Sequence, residues 1–493
     1  MLNQSWFLSL IERVSGQAYH PDSAEKTLGI LLGLLFALCF GLVFSLVFYH
    51  YFFHDKKLWY LFLYSVGCLV IVVFAKYALF HGVKGYIPDR LIMYALPSPK
   101  AAEWLWSLLP VAVFGIFLFF ETKIIRLSAQ KFLATLMVTF IFFATSVAAT
   151  REGTYSIYER FTRTFWEYTG NLPLVTNVHD FLRDYSSLHA SLVSHTVTHP
   201  PGFTLFLYGL QQIFDVGFFG LSFLVISSGA MVLIPLYYFL MHFLPSETTR
   251  RVIMVYVFLP SFVLLGATSM DMIFLLFTWL SISCLYRGWQ KSSLFSFLGG
   301  IVAALALFGN FLFLLLAPLF LYFIYDLSRS IPKKILGLRV GLSFLGFIGF
   351  YLAIYGWTGY SIVTNFIAAR ATQSGIVQSN FASLSLFITF AFMNISSFFL
   401  YLGIPNCILF IKQWSLFKQR TMPYFLGFIM VLFFIALGIF QGEVERIWLF
   451  ITPLFLLPIS LVIKNYSERT FKGYLSLLFF QSIVIQTLFY TYW

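Results

Sequence analysis

The stretch TLGILLGLLFALCFGLVFSLVFYHYFF, residues 27–53, contains no Asp, Glu, Lys or Arg. Crossing the hydrocarbon core of a bilayer takes roughly 20 apolar residues in a helix. The run exceeds that length, and it is too long for the apolar core of a secretory leader. The segment before it carries Glu12, Arg13, Asp22, Glu25 and Lys26, so no cleavable leader is expected. Outward from this run the same texture recurs: 60% of the 493 residues are hydrophobic and only 10% are charged, against roughly 25% charged in a soluble domain. One globule cannot hide that excess. An all-α polytopic membrane protein is expected; a soluble enzyme, a secreted disulfide scaffold and a disordered chain are excluded. The net charge of +12 does not point to nucleic acid, because in such a chain the placement of charges matters more than their sum.

Fourteen apolar runs suit helical crossings: near 27–53, 57–82, 105–122, 132–150, 219–243, 252–270, 272–287, 294–308, 310–325, 340–356, 383–403, 423–440, 447–464 and 473–492. Runs this long are wrong for barrel strands. The connectors 54–57, 123–131, 247–251, 287–291, 326–339, 412–420 and 464–472 hold 19 Lys or Arg and 4 acids, whereas 83–104, 151–200, 357–381 and 441–446 hold 9 of each. Lys and Arg accumulate in cytoplasmic loops, so the first set is assigned to the cytoplasm and both termini to the outside. The stretch 200–215 is expected to be interfacial or re-entrant, because a full crossing there would invert everything after it. Cys39, Cys68, Cys284 and Cys407 lie in or beside apolar runs, without metal-ligand spacing, and are read as packing residues.

The connector 151–200 is the most informative. It holds 5 of the 19 acids (Glu152, Glu159, Glu167, Asp180 and Asp184) and 4 of the 9 histidines (His179, His189, His195 and His199). For any one of these residues a solvated loop is an adequate explanation, but long loops in compact proteins are usually functional or disordered, and this one is too aromatic for disorder. A surface helix is expected across 155–168. Three smaller groups lie on the same expected face: Asp271 at the outer start of an apolar run, Glu443, Glu445 and Arg446 in a short turn, and Arg370 in the connector 359–381. An N-cap would account for Asp271, and a local ion pair for Glu443 and Arg446. Together, a carboxylate can deprotonate a hydroxyl and arginines can grip phosphate oxygens. Such chemistry suits transfer from a lipid-phosphate donor and suits ion coupling in a transporter almost as well.

At Thr198-His199-Pro200-Pro201-Gly202 the chain resembles the superfamily of GT-C-fold glycosyltransferases that use polyprenyl-phosphate sugars, nearest the branch of protein O-mannosyltransferases and lipid A aminoarabinose transferases. Those enzymes follow an early span with a long outer loop that opens on an acid and an aromatic and returns through a His-Pro-Pro or similar motif. Here the span is 132–150, the opening is Arg151-Glu152-Gly153-Thr154-Tyr155 and the return is His199-Pro200-Pro201. Ser269-Met270-Asp271 and Gly442-Glu443-Val444-Glu445-Arg446 occupy places similar to the family's later polar positions. The family's loop usually opens with Asp or an Asp-Glu pair, whereas this chain has Arg151-Glu152.

The resemblance implies a GT-C-like fold of about 14 transmembrane helices with a long non-cytoplasmic first catalytic loop. It divides the chain into an N-terminal segment 1–26 (an interfacial helix), extra membrane helices 27–131, a GT-C-like core 132–464 with outer loop 151–200, and a last membrane helix in 465–493. It implies an inverting membrane glycosyltransferase that moves a sugar from a polyprenyl-phosphate donor to a hydroxyl of a glycan, lipid or protein on the non-cytoplasmic side. Membrane lipid is the other partner; nucleic acid is not one. Glu152 is the first choice for the base, with Asp180 and Asp184 as alternates. Tyr155, His195, His199, Asp271, Arg370, Glu443, Glu445 and Arg446 are the candidates for holding substrate and phosphate. Some members need a divalent metal ion, which His195 and His199 with Asp180 or Asp184 could bind, though the spacing does not demand one. A prokaryotic plasma membrane is favoured over the endoplasmic reticulum. The competing reading is a transporter or flippase of a lipid-linked or small anionic substrate, which calls for ionisable residues near mid-membrane; few occur, Lys76 being the clearest. A non-catalytic scaffold is the third reading.

Overall fold

A computed structural model describes residues 21–52, 55–82, 104–267, 269–376, 379–414, 422–489 and 491. Most of the segment 1–26 and nearly all of the connector 83–104 lie outside them, as does the side chain of Lys76. The described elements are helices, as lipid requires of backbone that cannot bond to water. Nine of them are long and apolar enough to cross a membrane, or ten if Ser246–Val257 and Pro260–Gly266, bent by 50°, count as one span. Four shorter apolar helices, Ser293–Gly309, Phe311–Leu327, Pro423–Leu437 and Leu449–Ile463, coincide with four more of the fourteen runs. Length and apolarity thus secure nine or ten crossings among the described residues, not fourteen. The protein is an integral, multi-pass membrane protein.

At the extremes, polarity goes with burial. Glu468–Leu488 has a mean hydropathy of only 1.2 yet 83% of it is buried, whereas Lys56–Ala75, at 2.3, is 17% buried. Lipid tails favour the more apolar helix outside, and polar side chains act as bonds between helices inside. Gln481 shows this: its amide donates to Leu400 O and its carbonyl accepts from Ile404 N, both at 2.8 Å. Ala129–Glu152 and Glu468–Leu488 run side by side in the same direction. At their far ends Arg151 Nη1 donates to Thr491 Oγ1 at 2.8 Å, so Arg151 ties the start of the connector 151–200 to the segment after Glu468–Leu488. Near their first residues Arg250 and Arg251 cap neighbouring chain ends at Leu127 O and Tyr466 O.

The connector 357–381 is mostly a helix, Ile362–Ile376; with no proline and several alanines, nothing in it breaks one. The segment after Pro201 is a helix too, Gly202–Phe214. Its 13 residues reach only about 20 Å, too short to cross alone. Glycine makes the closest packing possible: a Cβ on Gly300 would stand 2.0 Å from Ser343 O, and one on Gly202 2.3 Å from Phe308 O. Backbone cannot yield as a flexible side chain can. Gly300→Ala is therefore expected to lower stability by about 1–3 kcal/mol, read as a reduced thermal unfolding midpoint in detergent, while Gly349→Ala, with open space around it in a helix interior, does not lower the midpoint and raises it slightly.

Candidate functional site

The connector 151–200 folds into short helices pinned by side chains rather than into one long surface helix. Tyr155–Thr162 is helical and buries Ser156, Ile157, Arg160 and Phe161. This face recurs at i, i+1, i+4 and i+5, so Arg160 is carried inward with its apolar neighbours. The chain then turns, and Thr169 Oγ1 donates to Phe161 O at 2.8 Å. The turn delivers Glu167, buried, to Arg160: Glu167 Oε1 lies 2.6 Å from Arg160 Nε and 3.3 Å from His195 Nδ1. Tyr185 fixes the return, its hydroxyl bonding to Thr196 O and His199 O at 3.1 and 3.0 Å. His199 Nδ1 lies 2.6 Å from His195 O, so Nδ1 carries the proton and Nε2 is the bare nitrogen. The Tyr168 ring packs against His195, His199 and Phe203.

Two other elements meet this loop. Asp271 opens the helix Asp271–Lys291, and Ser269 Oγ donates to its Oδ2 at 2.7 Å. Arg446 Nη1 bonds to the same oxygen at 2.8 Å, and its Nη2 to Glu443 Oε2. Glu443 adopts φ 55, a left-handed conformation costly for a side-chain-bearing residue. The turn holding it there is tied on both sides: Asn380 and Asn394 donate to Phe440 O at 3.0 and 3.1 Å, and Gln441 donates to Asn380 Oδ1 at 2.6 Å.

The pieces form one electrostatic unit. Arg160 feels Glu167, Arg446, Glu443 and Asp271, while Glu443 feels Arg446, His195 and Arg160. Burial pushes the Glu167 carboxyl up, but Arg160 and the His195 hydrogen bond outweigh it and hold the group at about 2. Burial likewise raises Glu443, and Arg446, His195 and Arg160 together more than reverse it. Arg446 is lowered by burial and raised further by Glu443 and Asp271. Loss of solvent, with His195 adding to it, brings His199 down to about 4, so it is neutral near pH 7. Arg446 Nε and Arg160 Nη1 are buried without a hydrogen-bond acceptor. Buried donors are rarely left so.

Of the residues singled out from the sequence, His195, His199, Asp271, Glu443 and Arg446 gather here. Glu152, half-buried, ends the helix Ala129–Glu152, its N–H donating to Ser156 Oγ at 3.0 Å. Glu445 is fully buried in the turn beside Arg446. Asp180 and Asp184 share the helix Val178–Asp184 and both pair with Arg183, at 2.9 and 2.8 Å, with more than a third of each side chain exposed. The Asn177 amide holds Asp180 below the usual carboxylate range, and Arg183 does the same for Asp184. Tyr155 is exposed against Tyr158, and Arg370 is exposed on Ile362–Ile376. Arg160, Glu167 and Tyr168 were not among the candidates; the inward helical face of Ile157 and Phe161 was the signal for Arg160. Among the described residues no three His, Cys, Asp or Glu are arranged to hold a metal ion: Asp180 and Asp184 are engaged by Arg183, and His195 by Glu167.

Residues 198–352 match the family model for dolichyl-phosphate-mannose-protein mannosyltransferase, a stretch that begins at Thr198-His199-Pro200 and includes Asp271. The match supports the GT-C glycosyltransferase superfamily and, at the family level, a membrane glycosyltransferase that uses polyprenyl-phosphate sugar donors. No curated protein and no solved structure matches the chain.

Proposed function

We propose that the chain takes a sugar from a polyprenyl-phosphate carrier and attaches it, with inversion of the anomeric centre, to an acceptor hydroxyl on the non-cytoplasmic side of a prokaryotic plasma membrane. The carrier's tail must stay in lipid while its phosphate head reaches water, so the reactive groups belong at a helix end. The buried, unspent N–H groups of Arg160 and Arg446 in a cluster at one set of helix ends carry this reading. In the proposed step Glu152 removes the acceptor's proton, the freed oxygen forms a bond to the anomeric carbon, and the carbon–phosphate-oxygen bond breaks. The departing phosphate keeps the electron pair, and Arg160 and Arg446 receive its charge, where preorganised donors are worth most. Glu167, held ionised, orients His195 beside them. Asp180 and Asp184 rank below Glu152 because Arg183 already engages both. The core 132–464, its apolar stretch 252–325 as a groove for the isoprenoid, and the accessory helices 27–131 belong to the same proposal.

The test is transfer from a synthetic polyprenyl-phosphate sugar in reconstituted vesicles. Glu152→Gln is expected to slow turnover about 10²–10⁴-fold, and Asp180→Asn and Asp184→Asn to stay within a few-fold of wild type. If Glu152→Gln transfers at the wild-type rate, Glu152 is not the base, and if wild type itself transfers no sugar from that donor, the enzyme reading fails.

A further inference from the structure

At the opposite helix ends lies a cavity of about 480 Å³ between the end of Trp104–Ile124 and the starts of Ser246–Val257 and Glu468–Leu488. Glu121, Arg126, Glu247, Arg250, Arg251 and Glu468 line it; all but Glu121, which lies at the end of the helix Trp104–Ile124, come from connectors that the charge bias assigns to the cytoplasm. Two of its arginines are held rigidly. Arg250 Nη1 donates to Ile125 O and Leu127 O at 3.0 and 2.6 Å, with the guanidinium over the Phe132 ring. Arg251 Nη1 donates to Ile463 O and Tyr466 O at 3.1 and 2.6 Å, and its Nη2 to Glu247 at 3.3 Å. Those bonds explain why the arginines are ordered but do not use everything that lines the cavity.

Two buried groups of opposite kind each keep one atom with no hydrogen bond. The Glu121 side chain is 3% exposed with Lys472 Nζ 4.0 Å away, and its Oε2 has no hydrogen bond. Arg251 Nε is buried with no acceptor. Arg126 is exposed. A metal cation would satisfy only the carboxylate and a simple anion only the arginines. A ligand carrying both an ammonium and a phosphate satisfies both: ammonium is a pure donor suited to Glu121, and phosphate suits a guanidinium fork. Depth agrees, since Glu121 sits three residues before the end of the span Trp106–Ile124, where lipid head groups meet the tails.

We propose that this cavity binds the zwitterionic head group of a phosphoethanolamine lipid, with the ammonium at Glu121 and the phosphate at Arg251 and Arg126. Full-length protein purified in detergent is to be titrated with phosphatidylethanolamine, phosphatidylglycerol and soluble O-phosphoethanolamine, with binding read by native mass spectrometry. Wild type is expected to prefer phosphatidylethanolamine. Glu121→Gln is expected to weaken that lipid about tenfold or more and leave phosphatidylglycerol unchanged, while Arg126→Gln weakens both lipids. Equal binding of the two lipids by wild type, or undiminished phosphatidylethanolamine binding by Glu121→Gln, overturns the proposal. Soluble O-phosphoethanolamine binding as tightly as the lipid overturns the lipid source. Should Glu121→Gln fail to fold, the exposed Arg126→Gln decides: full lipid affinity in that variant also overturns it.

Discussion

Replacing Arg446 with alanine will abolish measurable sugar transfer, with turnover down about 10³-fold or more, because on the proposed function the change removes a phosphate donor together with the group that bonds Asp271 and Glu443 at once. Arg446 spans Asp271 on one helix and Glu443 on a separate turn. Without it the largely buried Asp271 and Glu443 carboxylates lose the cation bonded to both, at a cost of about 3–5 kcal/mol. Arg446→Lys separates the two effects. Lysine keeps the positive charge but is a single point of donation, so it cannot hold both carboxylates and a phosphate in one plane. That variant should regain most of the thermal stability while turnover stays about 10–10²-fold down. Unfolding midpoints and initial rates measured on the same preparations check this. Wild-type turnover in Arg446→Ala would remove the cluster from the reaction.

Acidification will unfold the outer loop in two stages. Glu167 has a folded-state value of about 2 against 4.5 ordinarily. A carboxylate lowered on folding contributes stability that is fully present above 4.5 and is lost as pH falls from there toward 2. The difference corresponds to about 3 kcal/mol, and Glu443 acts in the same direction. His199 starts the loss earlier. Its value falls from 6.5 to about 4 on folding, so the unfolded chain binds the proton more readily, and stability declines as pH drops from 6.5 toward 4. Unfolding midpoints should be flat above about pH 7, fall gently below 6.5 and fall more steeply below 4.5. Glu167→Gln should weaken the steeper stage, leaving the part due to Glu443, and, by leaving Arg160 buried without its carboxylate, lower stability at pH 7 by about 3–5 kcal/mol. An unchanged pH profile in that variant would mean that Arg160 and Glu167 do not act as a pair.

Of the connectors read from charge bias, those bearing Arg126, Arg250, Arg251 and Glu468 meet around one cavity, and those bearing Glu167, His195 and Arg446 meet in one cluster. Asp271, Glu443 and Arg446 were legible as candidates because an ionisable group beside an apolar run is costly without a partner. Their pairing was not legible, since 175 positions separate Arg446 from Asp271. Asp180 and Asp184 illustrate the reverse. Four-residue spacing put them on one helix, but their neighbour Arg183 engages both before any distant group can.

Composition and apolar run length alone determined that this chain lives in a membrane as helices, because lipid offers backbone groups no other partner. They did not determine the number of crossings, because four of the apolar helices fall short of bilayer length. Nor could they reveal Arg160 and Glu167 as an ion pair, which exists only because a side-chain-pinned turn folds the loop back on itself. Periodicity is a local property and survives in the sequence; the meeting of charges from distant segments is decided by packing, which only the tertiary structure holds.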